Sequence, residues 1–191
     1  MHITIEGIDG VGKSTASKAV AEALGFTLVE KPLHYLFDID GGIENYLRIR
    51  DYFNEQPDRF LSAWFYGLSN LYIRERFKGQ NIVTDRHLLS NYSWSGTDDN
   101  IEIYDLLVKR LGAPDYTFIL YATPETVAAR IRGRDITDKD VEKTRFIPVI
   151  YKKMEDFCKR YNMPYQVIDT GKLNAADVAE QITKTVKEIM R

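Results

Sequence analysis

Apolar and polar positions follow two rhythms along this chain, and the two rhythms take turns. "HITIEGI" (2–8) is a short apolar run that ends among glycines and predicts a buried first strand. From Ser14 to Leu24, Ala16, Ala19, Val20, Ala23 and Leu24 share one helical face, and Gly25 marks the stop. "FTLVE" (26–30) predicts the second strand. Residues 43–78 carry two helical patterns; Pro57 opens the second, where Phe60, Trp64, Leu68, Leu71 and Tyr72 recur at steps of mainly three and four. "NIVTD" (81–85) predicts a third strand, followed by a polar-aromatic stretch that reads as a short helix or a loop. Residues 100–111 are helical in pattern, and "DYTFILYA" (115–122) predicts the fourth strand.

Thr123, Pro124 and Glu125 then spell a helix start: a cap, a proline in the first turn and an acid near the positive end of the dipole. Residues 133–139 are mostly charged and begin with Gly133. A helical stretch follows, which Pro148 interrupts or restarts. "PYQVID" (164–169) predicts a fifth strand, and Val178, Ile182, Val186 and Ile189 line a last helix. Strands alternating with helices imply an α/β fold, a parallel sheet covered on both faces. The 191 residues fit one domain, 1–191, with no repeat, linker or low-complexity segment.

Composition narrows the class of partner. Hydrophobic residues make up 44% and charged residues 28%, as in ordinary globular proteins, and the net charge of −2 advertises neither nucleic acid nor membrane as a partner. No apolar run approaches the roughly 20 residues of a membrane helix. An acid at residue 6 argues against a signal peptide. Cys158 is the single cysteine, so an internal disulfide is excluded and a reducing, cytoplasmic setting is expected. His2, His34 and His87 have no partners at metal-site spacing.

The chemistry concentrates in "IEGIDGVGKST" (5–15). Gly7 to Ser14 matches G-x-x-x-x-G-K-[ST] between a predicted strand and a predicted helix, the context that makes this pattern a phosphate loop. Gly7, Ile8, Asp9, Gly10, Val11, Gly12, Lys13, Ser14 and Thr15 would wrap ATP. The glycines let amides curl round an anion, and the helix N-terminus adds unpaired N–H donors. Lys13 would reach the β- and γ-phosphates and Ser14 would hold magnesium.

Three more places lie where ligands of open parallel sheets bind, or near it. Asp85, which ends the third strand, could hold magnesium through water, and Arg86 could clamp a second phosphate. Arg130, Arg132 and Arg134 cluster in "RIRGRD", where Gly133 would let a short lid, about residues 131–140, hinge. Glu30 ends the second strand and could act as a general base or an acid of the magnesium shell. Each has a plainer reading: a surface ion pair, a basic helix end, a solvated strand end.

These stretches resemble the thymidylate kinase family. "IEGIDGVGKST" is similar to its phosphate loop, including the E-G-x-D lead-in. "TDRHLLSNYSWSG" resembles its D-R-[YH] segment, and "APDYTFILYATPETVAARIRGRD" its strand, helix and arginine-rich lid. The resemblance implies a three-layer P-loop kinase fold with a five-stranded parallel sheet in order 2-3-1-4-5. It implies phosphoryl transfer from magnesium-ATP to a deoxynucleoside monophosphate, dTMP or a related deoxypyrimidine nucleotide, usually by a homodimer. It also implies that Asp9 approaches the acceptor sugar, Arg86 its phosphate, Phe65 and Asn91 its base, and Trp94 the sugar's 2′ position. Position 10 is Gly where some members carry an arginine, which leaves the lid arginines to supply charge.

Two departures stand out. Where the family usually has a base-reading arginine there is Ser69, beside Asn70, and a fork of donors is exchanged for a short hydroxyl. "VEKPLHY" replaces the family's segment after the second strand, and its E-x-P resembles deoxynucleoside kinases, whose glutamate there deprotonates the acceptor 5′-hydroxyl. Glu30 would do that here. A nucleoside kinase is therefore the alternative, and a non-catalytic nucleotide switch a more distant one.

Overall fold

The computed structural model describes all 191 residues. Five strands form one parallel sheet in the order β2-β3-β1-β4-β5, as expected: β1 (His2–Glu6), β2 (Thr27–Val29), β3 (Ile82–Asp85), β4 (Tyr116–Tyr121) and β5 (Tyr165–Asp169). The central strand β1 pairs Ile3 and Ile5 with Val83 and Asp85 on one side and with Tyr116 and Phe118 on the other. Ile3, Ile5, Val83, Phe118, Ile119 and Leu120 are fully buried, since helices cover both faces.

Helix α1 (Lys13–Leu24) starts directly from the glycine loop and ends at Gly25, whose φ of 67° closes the last turn. α3 (Glu44–Glu55) and α4 (Arg59–Arg76) are the two helical patterns of 43–78, preceded by a one-turn α2 (His34–Phe37) that no periodicity announces. Asp58, just after Pro57, caps α4 by accepting from the N–H of Phe60 at 2.8 Å. The polar-aromatic stretch behind β3 is a helix, α5 (Leu88–Ser95), and α6 (Ile101–Leu111) follows it. Thr123 caps α7 (Pro124–Arg134) as its sequence foretold. Residues Lys139–Phe146 form 3₁₀ turns, Pro148 lies in the first turn of a new helix, α8 (Ile147–Arg160), and α9 (Ala175–Ile189) closes the chain. The proline restarts the helix, because its missing N–H is an orphan in a first turn anyway. No helix is long and apolar enough to cross a membrane.

The sheet's carboxyl edge gathers the loops of interest. Gly7 and Ile8, expected in the first strand, already belong to the loop. Gly7 has φ of 139°, and a Cβ there would stand 2.5 Å from the Leu120 carbonyl, so the loop leaves the strand pressed against β4. A second, smaller aromatic cluster around Leu33, Tyr46 and Phe65 holds α2, α3 and α4 together beside this edge.

Candidate active site

β1 delivers two acids to the carboxyl edge, and they do different work. Glu6 is fully buried; its carboxylate accepts from the backbone N–H of His87 (2.9 Å) and Ser90 (3.2 Å), from the Ser90 hydroxyl, and from Thr4 Oγ1 at 3.3 Å. It thereby satisfies the orphan donors at the start of α5. Burial pushes its pKa up, and the hydrogen bonds from Ser90 oppose that. Asp9, three residues on, is part-exposed and accepts from Arg86 Nη2 at 2.6 Å, with Lys13 Nζ at 3.8 Å. Burial would raise its pKa, but Arg86, Lys13 and Lys143 outweigh that and hold it well below the usual carboxylate range.

Lys13 is buried, and its ammonium donates to the Ile8 carbonyl at 2.6 Å across the mouth of the loop. Burial lowers its pKa to about 8; Arg86 adds repulsion and Asp9 opposes it. Arg86 has φ of 77°, rare for a side chain of its size, and this turns its guanidinium back over the loop. There Nη1 donates to the Gly7 carbonyl (2.9 Å) and to Ser90 Oγ (3.3 Å). From the far side, Tyr151 of α8 packs on the loop: Ile8 N–H donates to its hydroxyl at 3.5 Å, and that hydroxyl donates to the Leu120 carbonyl.

Ser14 donates to Asp85 Oδ2 at 2.6 Å, while Asp85 Oδ1 is buried with no partner. A hydroxyl, a carboxylate and an orphaned buried oxygen at the foot of a phosphate loop suit magnesium, which takes few protein oxygens and keeps water and phosphate for the rest. Glu30 forms no hydrogen bond or ion pair and lines an open cleft with Ser14, Thr15, Lys18 and Glu22.

Gly10 has φ of 86°, and a Cβ on it would meet Val127 and Ile131 of α7 at 3.0 Å. A side chain at position 10 would crowd α7 and be strained by this φ, so the position disfavours an arginine.

The predicted lid arginines do not act as a set. Arg130 is withdrawn from it: both terminal nitrogens bond Thr170 beyond β5, to Oγ1 at 3.1 Å and to the carbonyl at 2.6 Å. Arg134 pairs with Asp138, and Arg132 is exposed without a partner.

On the acceptor side the expected residues come together on α4 and α5, with two corrections. Asn91 is 3% exposed and spends its amide on packing: Nδ2 donates to the Ala63 carbonyl (3.2 Å) and Oδ1 accepts from Tyr104 (3.1 Å). It joins α4, α5 and α6 and is not free to read a base. Phe65 has neighbours already, with Phe53 stacked at 4.6 Å and Phe37 near-parallel at 6.5 Å, so a base stacks on it only when one of them gives way. Asn70 is buried with Nδ2 unpartnered, next to the half-buried Ser69. Trp94 is half-buried at the end of α5, with Lys143 Nζ 6.0 Å from its ring centre. Sequence reasoning passed over Glu6, Tyr151 and Lys143. Glu6 alone left a trace, as the acid of the E-G-x-D lead-in.

The chain is similar to known proteins over nearly its whole length. The thymidylate kinase family model matches residues 44–182, from the start of α3 into α9. A probable thymidylate kinase of Methanocaldococcus jannaschii is 29% identical over 196 residues, covering 99% of this chain and 97% of the relative. The thymidylate kinase of Rickettsia typhi is 26% identical, with 95% of each chain covered. Among solved structures, deoxyadenosine kinase from M. mycoides with dCMP and dCDP bound superposes with a TM-score of 0.69 at 20% identity over 99% of this chain and all of that one. The YorR protein of Bacillus subtilis superposes with 0.63 at 17% identity over 98% and 96%. At such identities the structural likeness is one of fold.

Proposed function

The chain belongs to the thymidylate kinase family, and from that membership and the site geometry we propose that it transfers the γ-phosphoryl group of ATP to a deoxynucleoside monophosphate, dTMP or a related deoxypyrimidine nucleotide. The observation that carries this reading is the placement of Arg86, whose guanidinium lies over the phosphate loop within 2.9 Å of the Gly7 carbonyl and 2.6 Å of Asp9. A planar, permanently charged fork beside the γ-phosphate position suits an acceptor that brings its own phosphate.

In the reaction, an oxygen of the acceptor phosphate attacks the γ-phosphorus while the bond to the β–γ bridging oxygen breaks, and ADP leaves with the electron pair. A dianionic phosphate carries no proton to remove, so no general base is needed. The loop amides and Lys13 hold the donor phosphates, and Arg86 orients the acceptor. Arg132 and Arg134 close over the equatorial oxygens, where charge spreads in the transition state, and help exclude water, since hydrolysis is the competing reaction. Magnesium, held by Ser14 and through water by Asp85, would neutralise charge on the β- and γ-oxygens.

Glu30 supports a second reading. Its unpaired carboxylate shares a cleft with Ser14, where a nucleoside acceptor's 5′-hydroxyl would need a base. The exposed apolar stripe Phe60, Leu61, Trp64 and Leu68 on α4 supports a homodimer, and the cytoplasm is the expected compartment. Chromatographic detection of dTDP from ATP and dTMP tests the principal reading.

A further inference from the structure

The 3₁₀ segment Lys139–Phe146 brings a cation to the site that no motif marks. Lys143 lies on the acceptor side of the cleft, its Nζ 6.0 Å from the centre of the Trp94 ring. Its charge contributes to holding Asp9 ionised and also reaches Tyr66 of α4. Asp9, Tyr66 and Trp94 come from the phosphate loop, α4 and α5, and Lys143 lies beside the last of these and within electrostatic reach of the other two. It is half-exposed, and its only ion-pair partner is Asp140, one turn earlier, with Nζ 2.6 Å from Oδ1. A partly exposed pair three residues apart is weak and easily exchanged.

Most other sources of positive charge at this point are restricted. Gly10 faces α7, where its φ of 86° and the side chains of Val127 and Ile131 disfavour a side chain. Arg130 is bound to Thr170 and Arg134 is paired with Asp138, which leaves Arg132 as the one unpaired arginine of the lid. Lys143 differs from them in having both a loose partner and an aromatic surface beside the acceptor pocket on which its stem can travel.

We propose that Lys143 is a further phosphate-binding residue, which leaves Asp140 when nucleotide enters and donates to the oxygens of the acceptor phosphate or the transferring phosphoryl group, opposite Arg86. This rests on the phosphotransfer reading given above. A phosphate dianion outcompetes a single exposed carboxylate for a compact ammonium with three donors. Asp140 then acts as the residue that parks Lys143 when the site is open.

The test compares Lys143→Met, Lys143→Arg and Asp140→Asn, all in a Trp64→Phe background that leaves Trp94 as the only indole. Lys143→Met is expected to lower kcat by about tenfold or more, less than the roughly 100- to 1,000-fold lost with a fully positioned donor to developing charge, and Lys143→Arg to restore most of it. Asp140→Asn is expected to lower the acceptor KM several-fold at nearly constant kcat, because Lys143 is no longer held back. Acceptor monophosphate should shift the Trp94 emission in the background protein and not in Lys143→Met. A merely structural lysine would not move KM through Asp140 or carry the emission change. Turnover, KM and emission in Lys143→Met and Asp140→Asn that match the background would overturn the assignment of Lys143 alone. Failure of the wild-type protein to phosphorylate any monophosphate would remove the phosphotransfer reading, and this proposal with it.

Discussion

Arg86 and Asp9 meet at 2.6 Å, one from the end of the third strand and one from the phosphate loop. In the proposed reaction this pair would tie the acceptor clamp to the donor cradle before any phosphate arrives. An incoming monophosphate would then join this guanidinium beside a carboxylate that its neighbours hold ionised.

Replacing Arg86 by Ala should therefore raise the monophosphate KM and lower kcat together. A charge-assisted hydrogen bond of this kind contributes about 1.5–3 kcal/mol, so kcat/KM should fall roughly 10- to 100-fold by steady-state kinetics. Lysine should rescue poorly, since a point charge cannot reproduce the fork.

Lys13 gives two expectations. Lys13→Ala should abolish transfer in a protein that still melts cooperatively. In the wild type, kcat/KM for ATP should decline as pH rises through about 8, where the free enzyme's Lys13 loses its charge. The limb should lie higher in kcat, because bound phosphates favour the ammonium. Stability runs the other way. The folded pKa lies below the ordinary lysine value of 10.5, so between the two the unfolded chain holds more protons. Lys13's contribution to stability is full above the unfolded value and is lost as pH falls through about 8. Melting of wild type against Lys13→Met across that window isolates it.

Glu6→Gln tests the buried support of α5. The amide would aim N–H groups at donors from His87 and Ser90, leaving one or more unpaired at about 1–3 kcal/mol each. Thermal melting should show a loss of several degrees, since about 1 kcal/mol moves Tm by about 2–4 °C in a chain of this size. Activity should fall as well, because Arg86 immediately precedes this helix.

Much of this site was legible from the sequence because it is local. The glycine spacing, Lys13 and Ser14 lie within eleven residues, and the strand and helix that flank them have clear periods. The sheet order came only with the family resemblance, since periodicity does not say which strands are neighbours. α2 escaped because four residues show no period. Arg130 and Asn91 were misread for one shared reason: their partners, Thr170 and Tyr104, are 40 and 13 residues away, and only folding shows that their polar groups are already taken. Glu6 and Tyr151 act on backbone groups, which leave no mark on the residues they serve.

Base choice should follow Asn70 and not Asn91. With Ser69 in place of an arginine, discrimination among dTMP, dUMP and dCMP in direct competition should be shallow, since a missing site-to-base hydrogen bond removes the steep penalty against analogues. Asn70→Ala should change the ratio further. Asn91→Ala should lower Tm and leave the ratio alone.

Acceptor class set against two variants separates the monophosphate reaction from the nucleoside one. Wild type, Arg86→Ala and Glu30→Gln are each given ATP with deoxypyrimidine monophosphates or with the matching nucleosides, and diphosphate and monophosphate products are separated. A monophosphate kinase with Arg86 as its clamp gives diphosphate in the wild type, nearly none in Arg86→Ala and undiminished diphosphate in Glu30→Gln. Phosphorylation of free nucleosides only, lost with Glu30 and kept without Arg86, would contradict it.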